Sequence, residues 1–334
     1  MILDRYDALL LDLDGTVYRG TEAVDGAQDA VRAAAEHGVA VRFVTNNASR
    51  APETVATSLR ALGVAATAAE VDTSAQAAAA VVADQVEPGS AVLVVGSAAL
   101  AEEVAALGLR PVRDNAGPVA AVVQGLSKDI GWPDLAEACI AINAGARWVA
   151  ANTDPTLPTE RGLLPGNGSL VAALRAATGA EPVVAGKPEA PLMRAAIEAA
   201  GARMPLVVGD RLDTDIAGAV TVGADSMLVL SGVSDAAELL GAPEARRPTY
   251  VAADLAGVFG EPDRLAIGED PRWTVRESGD GLTVSGDGDP IGLLRTLCAL
   301  AWRMPSAPKA LEAHGGPADA ALRALGLGER DAIG

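Results

Sequence analysis

Short apolar runs alternate with stretches of helical periodicity along most of the chain. Residues 8–13 are apolar up to an acid near their end, the pattern of a strand buried on both faces. Residues 26–37 carry helical spacing closed by Gly38, and residues 41–44 form a second buried strand. A second helix over 52–62 ends at Gly63. That βαβα order predicts a parallel sheet covered by helices. The alternation continues through strands at 91–95, 119–123 and 147–150, with a helix at 134–145. It resumes with strands at 182–185, 205–208 and 226–230 and helices at 190–200 and 214–222. Between these blocks, 153–158 and 164–168 are rich in Pro and Gly and are expected to be loops. After about residue 260 the character changes. Residues 273–276 and 282–285 are set to pair as a hairpin across Gly279, Asp280 and Gly281, and 291–304 form an apolar helix. The remainder, which holds His314, is expected to be looser, and 261–334 reads as a small appended α+β module.

Composition narrows the classes of function. With 334 residues, half of them apolar, the chain is long enough for two or three domains. Aromatics are only 3%, so the core rests on Ala, Val and Leu and offers little stacking surface. No uncharged apolar run is long enough to predict a membrane span, and the N-terminus lacks the pattern of a signal peptide. Cys139 and Cys298 lie far apart in apolar helical patterns, which predicts buried thiols in a reducing, cytoplasmic setting. The net charge of −18 argues against nucleic-acid partners. It also means that any anionic ligand must be met by a metal ion, helix N-termini and a few placed cations. Lysine is scarce, with only Lys128, Lys187 and Lys309.

The candidate chemistry lies at strand ends. The first strand closes on Asp12-Leu13-Asp14-Gly15-Thr16. Ligands bind beyond the carboxyl ends of parallel strands, and two carboxylates there can divide metal binding or nucleophilic attack from proton transfer. An acidic turn is the plainer reading of the same residues. The second strand closes on Thr45-Asn46-Asn47-Ala48-Ser49, whose hydroxyl, amides and N–H groups suit phosphate oxygens or, more simply, a polar helix entry. Gly186-Lys187-Pro188 holds a lysine at another strand end, where an ammonium offsets anionic charge. The segment Gly209-Asp210-Arg211-Leu212-Asp213-Thr214-Asp215 ends a fourth strand with three acids. Asp210 suits magnesium as a hard oxygen ligand, and Asp215 suits a supporting place behind it. Asp213 is expected to cap the following helix. Two histidines, His37 and His314, leave no basis for a Ser-His-Asp or His-rich zinc site.

In this order, these four segments resemble the haloacid dehalogenase superfamily of phosphohydrolases, in its NagD-like, 4-nitrophenylphosphatase-like branch, over about residues 5–258. The resemblance implies Asp12 as nucleophile, Asp14 as general acid and base, and Mg²⁺ held by Asp12, the Asp14 carbonyl and Asp210. It implies Thr45, Asn46 and Lys187 around the substrate phosphate, with Asp215 behind the metal ligands. The implied architecture is α/β, a Rossmann-like doubly wound parallel sheet core with an inserted α/β lid. The core is placed at 1–83 and 181–260 and the lid at 84–180. Asn152 and Asp154 fall in the lid loop that faces the substrate in this branch. A lid implies a small phosphorylated metabolite. Branch members rich in Ala and Arg with a C-terminal extension resemble glycerol-3-phosphate phosphatases, so glycerol 3-phosphate is the expected substrate, ahead of phosphoglycolate and pyridoxal 5′-phosphate. The position of 261–334 fits a shortened acetyltransferase-like tail, without the turn that would hold coenzyme A. Packing on the core or forming a homodimer contact is its expected role.

Overall fold

The structure, a computed structural model, describes residues 1–159 and 161–328. Glu160, in the expected lid, and 329–334, the end of the expected C-terminal module, lie outside the described residues. The chain forms two compact units, one of residues 1–41, 62–65 and 202 onward, the other of 42–61 and 66–201. Residues 42–61, 66–83 and 181–201, expected in the core, thus cluster with the expected lid in the second unit.

The first unit is organised by parallel strands Ala8–Leu11, Pro205–Gly209, Asp225–Val229 and Tyr250–Ala252, paired in that order. Ala8–Leu11 is buried at every position, as a continuous apolar run requires when both faces of a sheet are covered. Helix Ala27–Glu36 shows a strong apolar stripe and closes into Gly38, which takes a left-handed conformation. Residues 214–222, expected as one helix, divide into a π-helical turn Leu212–Ile216 and helix Ala217–Val222.

The C-terminal segment of this unit has the expected hairpin, Trp273–Ser278 against Gly281–Gly286, and the expected apolar helix at Pro290–Ala301. It is better ordered beyond that point than expected. Leu311–His314 adds a strand parallel to Gly281–Gly286, and helix Gly316–Ala324 follows, so His314 ends a strand. Trp273, Leu282, Val284, Leu293, Leu294 and Leu297 share one buried cluster with Leu212, Ile216, Leu228, Leu239 and Val251. The segment therefore continues the core of the unit.

The second unit holds strand Val71–Thr73 beside the end of strand Ala40–Thr45 and a separate five-stranded sheet. That sheet runs Val183–Val184, Arg147–Ala150, Ala121–Gln124, Ala91–Val95, Arg110–Val112, with every pairing parallel. Helix Trp132–Asn143 buries Ala138, Ala141 and Ile142 in a cluster that includes Val122 and Trp148. Of the expected loops at 153–158 and 164–168, residues 153–155 and 166 are loop, whereas Thr156–Thr159 pairs with Gly162–Pro165 as a hairpin and helix Asn167–Thr178 follows. Gly168 sits at this helix start because a Cβ there would come within 2.1 Å of the Thr153 carbonyl oxygen. The chain is α/β with Rossmann-like parallel sheets and a small C-terminal sheet module. No helix among the described residues is long and apolar enough to cross a membrane. Both cysteines are free; Cys298 is buried, whereas Cys139 is only half-buried, short of the burial expected of it.

Candidate active site

In the first unit, Leu11 pairs with Val208, and the Asp12 N–H donates to the Val208 carbonyl at 2.9 Å. Asp12 and Asp210 therefore leave neighbouring parallel strands at the same end. The π-helical turn after Asp210 returns Asp215 to them. Carboxylate oxygens of Asp12, Asp210 and Asp215 lie within 4.8 Å of one another. Asp210 and Asp215 are buried and Asp12 is half-buried.

The acids are fixed by main-chain donors. Val233 N–H donates to Asp210 Oδ2 at 2.6 Å, and Arg211 N–H donates to Asp215 Oδ2 at 3.2 Å. Gly15 meets the back of Asp210 at a φ of +91°, and a Cβ there would lie 2.4 Å from Asp210 Oδ2. Only glycine satisfies both the left-handed turn and this approach. Ser231 Oγ donates to the Gly15 carbonyl at 2.7 Å and holds the turn. Asp14 projects from the same turn with its side chain exposed, and the Tyr18 hydroxyl donates to Asp14 Oδ2 at 3.3 Å.

Three carboxylates this close repel one another unless protons or a cation balance them. Their hard oxygen donors fit a divalent ion such as Mg²⁺. Asp215, expected behind the ligands, stands in the cluster itself. Asp213 does not cap a helix. The Arg211 guanidinium forks onto its carboxylate at 3.0 and 2.8 Å. Burial pushes the Asp213 carboxyl up, and the Arg211 hydrogen bonds and charge hold it below its usual range nonetheless.

The second unit gathers Thr45, Asn46, Asn152, Asp154 and Lys187 through hydrogen bonds. Thr45 is buried at the end of its strand, and its Oγ1 accepts from Asn47 N–H at 3.1 Å. Lys187 is also buried, and its Nζ donates to the Val44 carbonyl at 2.9 Å. The Asn46 amide is taken up by neighbours. Its Oδ1 accepts from Lys187 N–H at 2.8 Å, and its Nδ2 donates to the Lys187 carbonyl at 3.0 Å and to Asp154 Oδ2 at 3.1 Å. Asn152 Nδ2 donates to the Asn46 carbonyl at 2.7 Å, while its Oδ1 accepts from Asp154 N–H at 3.2 Å. These bonds turn the Asn152 side chain toward protein main chain.

Two members of this network escaped sequence reasoning. Ser74 Oγ donates to the Asn46 carbonyl at 2.6 Å, and Asn167 Nδ2 donates to the Asn152 carbonyl at 2.7 Å. Ser74 gave no signal as the first residue of an alanine-rich helix. Asn167 gave none either, since it falls in the Pro- and Gly-rich stretch 164–168 that reads as a loop.

Residues 9–110 match the family model of haloacid dehalogenase-like hydrolases, and 184–258 match a second model of HAD-hydrolase-like proteins. Residues 270–327 match the model of a GCN5-related N-acetyltransferase like domain. The chain is 47% identical to a D-glycerol 3-phosphate phosphatase of Mycobacterium tuberculosis, over 99% of this chain and 97% of that protein. A 5′-nucleotidase of Bacillus subtilis is 38% identical over 75% of this chain and 96% of its own length. The crystal structure of the Mycobacterium tuberculosis glycerol phosphate phosphatase in complex with magnesium superimposes with a TM-score of 0.92 at 49% identity, covering 98% of this chain and 99% of that one. A p-nitrophenyl phosphatase from Archaeoglobus fulgidus gives a TM-score of 0.69 at 30% identity, over 75% of this chain and 97% of that one. The order of the strand-end motifs, the carboxylate cluster and these near full-length likenesses agree: the chain belongs to the haloacid dehalogenase-like hydrolase family.

Proposed function

We propose that this chain is a magnesium-dependent phosphomonoesterase that hydrolyses glycerol 3-phosphate to glycerol and phosphate. The observation that carries the reading is the convergence of Asp12, Asp210 and Asp215 within 4.8 Å. The extent of identity to a D-glycerol 3-phosphate phosphatase supports the substrate. Asp12, Asp210 and the Asp14 carbonyl would hold Mg²⁺, with Asp215 in support. Bound there, the ion neutralises charge on the phosphoryl group as it is transferred.

The chain's own groups carry the two displacements. The Asp12 carboxylate attacks phosphorus in line and becomes an aspartyl-phosphate, while Asp14 protonates the departing alkoxide. Asp14 then takes a proton from the water that hydrolyses this intermediate. Thr45, the Asn46 main chain and Lys187 hold the phosphate and offset its charge. Asn152 and Asp154 belong to the loop that selects the alcohol. The Asn152 amide donates to the Asn46 carbonyl and Asp154 Oδ2 accepts from Asn46 Nδ2, so Asn46 fixes this loop. The setting is the cytoplasm, and the C-terminal segment supplies a homodimer contact, which sedimentation of the full chain tests.

Phosphate release from the purified protein decides the main reading. Glycerol 3-phosphate, phosphoglycolate, pyridoxal 5′-phosphate and nucleoside 5′-monophosphates are compared with and without Mg²⁺. Glycerol 3-phosphate is expected to give the highest kcat/KM, and only with metal. A preference of about tenfold for another ester overturns the substrate. Hydrolysis of none of them overturns the enzyme class.

A further inference from the structure

The Asn46 side chain makes three hydrogen bonds, and two are to the main chain of Lys187. The amide therefore pairs with both the N–H and the carbonyl of one residue, as a neighbouring strand would. Lys187 is held at its other end too, where Nζ meets the Val44 carbonyl one residue before Thr45. Asn46 is in turn fixed from behind. Its carbonyl accepts from both Asn152 Nδ2 and Ser74 Oγ, and the Asn152 carbonyl accepts from Asn167 Nδ2. Asn152 and Asn167 are 5% and 1% exposed, so these bonds form where water competes poorly.

We infer that Asn46 is a positioning residue that fixes the main chain of Lys187, supported by Asn152 in the loop after Ala150 and, behind it, by Asn167 at the start of helix Asn167–Thr178. The inference rests on the phosphatase reading above, in which Lys187 offsets phosphate charge. It gives Asn46 a side-chain role distinct from phosphate contact. A lysine has four rotatable side-chain bonds, so its ammonium is placed accurately only if its main chain is fixed and its tip is anchored. An amide suits this work because it both accepts from the Lys187 N–H and donates to the Lys187 carbonyl, whereas a carboxylate in its place has no N–H to donate.

A double-mutant cycle tests it. Asn46→Ala and Asn46→Asp are each made in the wild-type and in the Lys187→Arg background, with folding checked by melting. Asn46→Ala should lower kcat on glycerol 3-phosphate about 10–100-fold with little change in KM. In the Lys187→Arg background the same change should cost less than about 3-fold, since its effect passes through Lys187. Asn152→Ala should act in the same direction and more weakly. A second readout needs no turnover. With only three lysines, ¹³C-lysine labelling gives a Lys187 signal to compare with Lys128 and Lys309. Asn46→Ala and Asn46→Asp should shift the Lys187 signal and leave the other two in place. Multiplicative losses in the double variant, a rise in KM alone, or an unmoved Lys187 signal overturns the inference. Failure of the wild-type protein to hydrolyse any ester overturns the underlying reading instead, and that result stands apart from the cycle.

Discussion

The acid cluster and the C-terminal segment belong to the same compact unit but are built on opposite principles. Asp12, Asp210 and Asp215 bring like charges together at strand ends, and two of the three are buried. Residues 270–328 bring apolar side chains together, with Leu293, Leu294, Leu297 and Cys298 fully buried. Burial pushes the Cys298 thiol up to about 12, as expected of a residue that serves as core. The first arrangement costs stability and is tolerated for chemistry, whereas the second supplies stability. This division of labour makes definite claims about which changes affect turnover and which affect melting.

The largest expected effect is on Asp12. Asp12→Asn removes the proposed nucleophile and should lower kcat by at least about 10⁴-fold. It also removes one of three mutually repelling carboxylates, so the metal-free Tm should stay constant or rise. Calorimetry and phosphate release on the same preparation check both. A large loss of Tm would show that Asp12 is a structural acid.

Next in size is the metal. Asp210→Asn keeps an acceptor for the Val233 N–H but gives up a charge, so Mg²⁺ affinity should fall about 10–100-fold. Mg²⁺ should raise the Tm of the wild-type protein through binding linkage, and chelation should reverse the rise. The variant should need correspondingly more metal for the same rise. Equal responses would remove Asp210 from the ligand set.

The two regions also differed in how legible they were in the sequence. Asp12, Asp14, Thr45, Lys187 and Asp210 could be picked out because each follows an apolar run, and a parallel sheet puts its ligands beyond such ends. The asparagine network could not be read, since Asn46 meets Asn152 and Lys187 across 106 and 141 residues of chain. Neutral amides carry no pattern that marks such distant pairing. Asp213 misled because acids near a helix start usually cap it, and here a neighbouring arginine competes for the carboxylate. The hairpin at Thr156–Thr159 was hidden by Pro158 and Pro165, residues that usually interrupt strands. Leu311–His314 was missed because four residues give too short an alternation, and its partner strand ends 25 residues earlier.

On the apolar side, Leu297→Ala tests the core role. Leu297 is 0% exposed within the cluster that joins the C-terminal segment to Leu239 and Val251. Truncation should cost about 2–5 kcal/mol in denaturant unfolding, through lost burial and a residual cavity. The kcat on glycerol 3-phosphate should stay unchanged at temperatures where the variant is folded. A proportionate loss of kcat would mean that the segment shapes the acid cluster.

The smallest effect sharpens the comparison most, because it touches the segment without disturbing its core. The Arg247 guanidinium lies 4.9 Å from the Trp302 ring centroid, while its Nε donates to the Ala242 carbonyl at 3.0 Å. The Trp302 indole N–H donates to the Leu239 carbonyl at 3.2 Å, which fixes the ring that the guanidinium covers. Arg247→Lys keeps the charge but loses the planar face, so unfolding free energy should drop by about 0.5–1 kcal/mol. Both kcat and KM for glycerol 3-phosphate should be unaltered, because this contact serves packing alone. A several-fold change in KM at preserved stability would carry the influence of the C-terminal segment to the substrate, and the division between acids that react and apolar residues that hold would then fail.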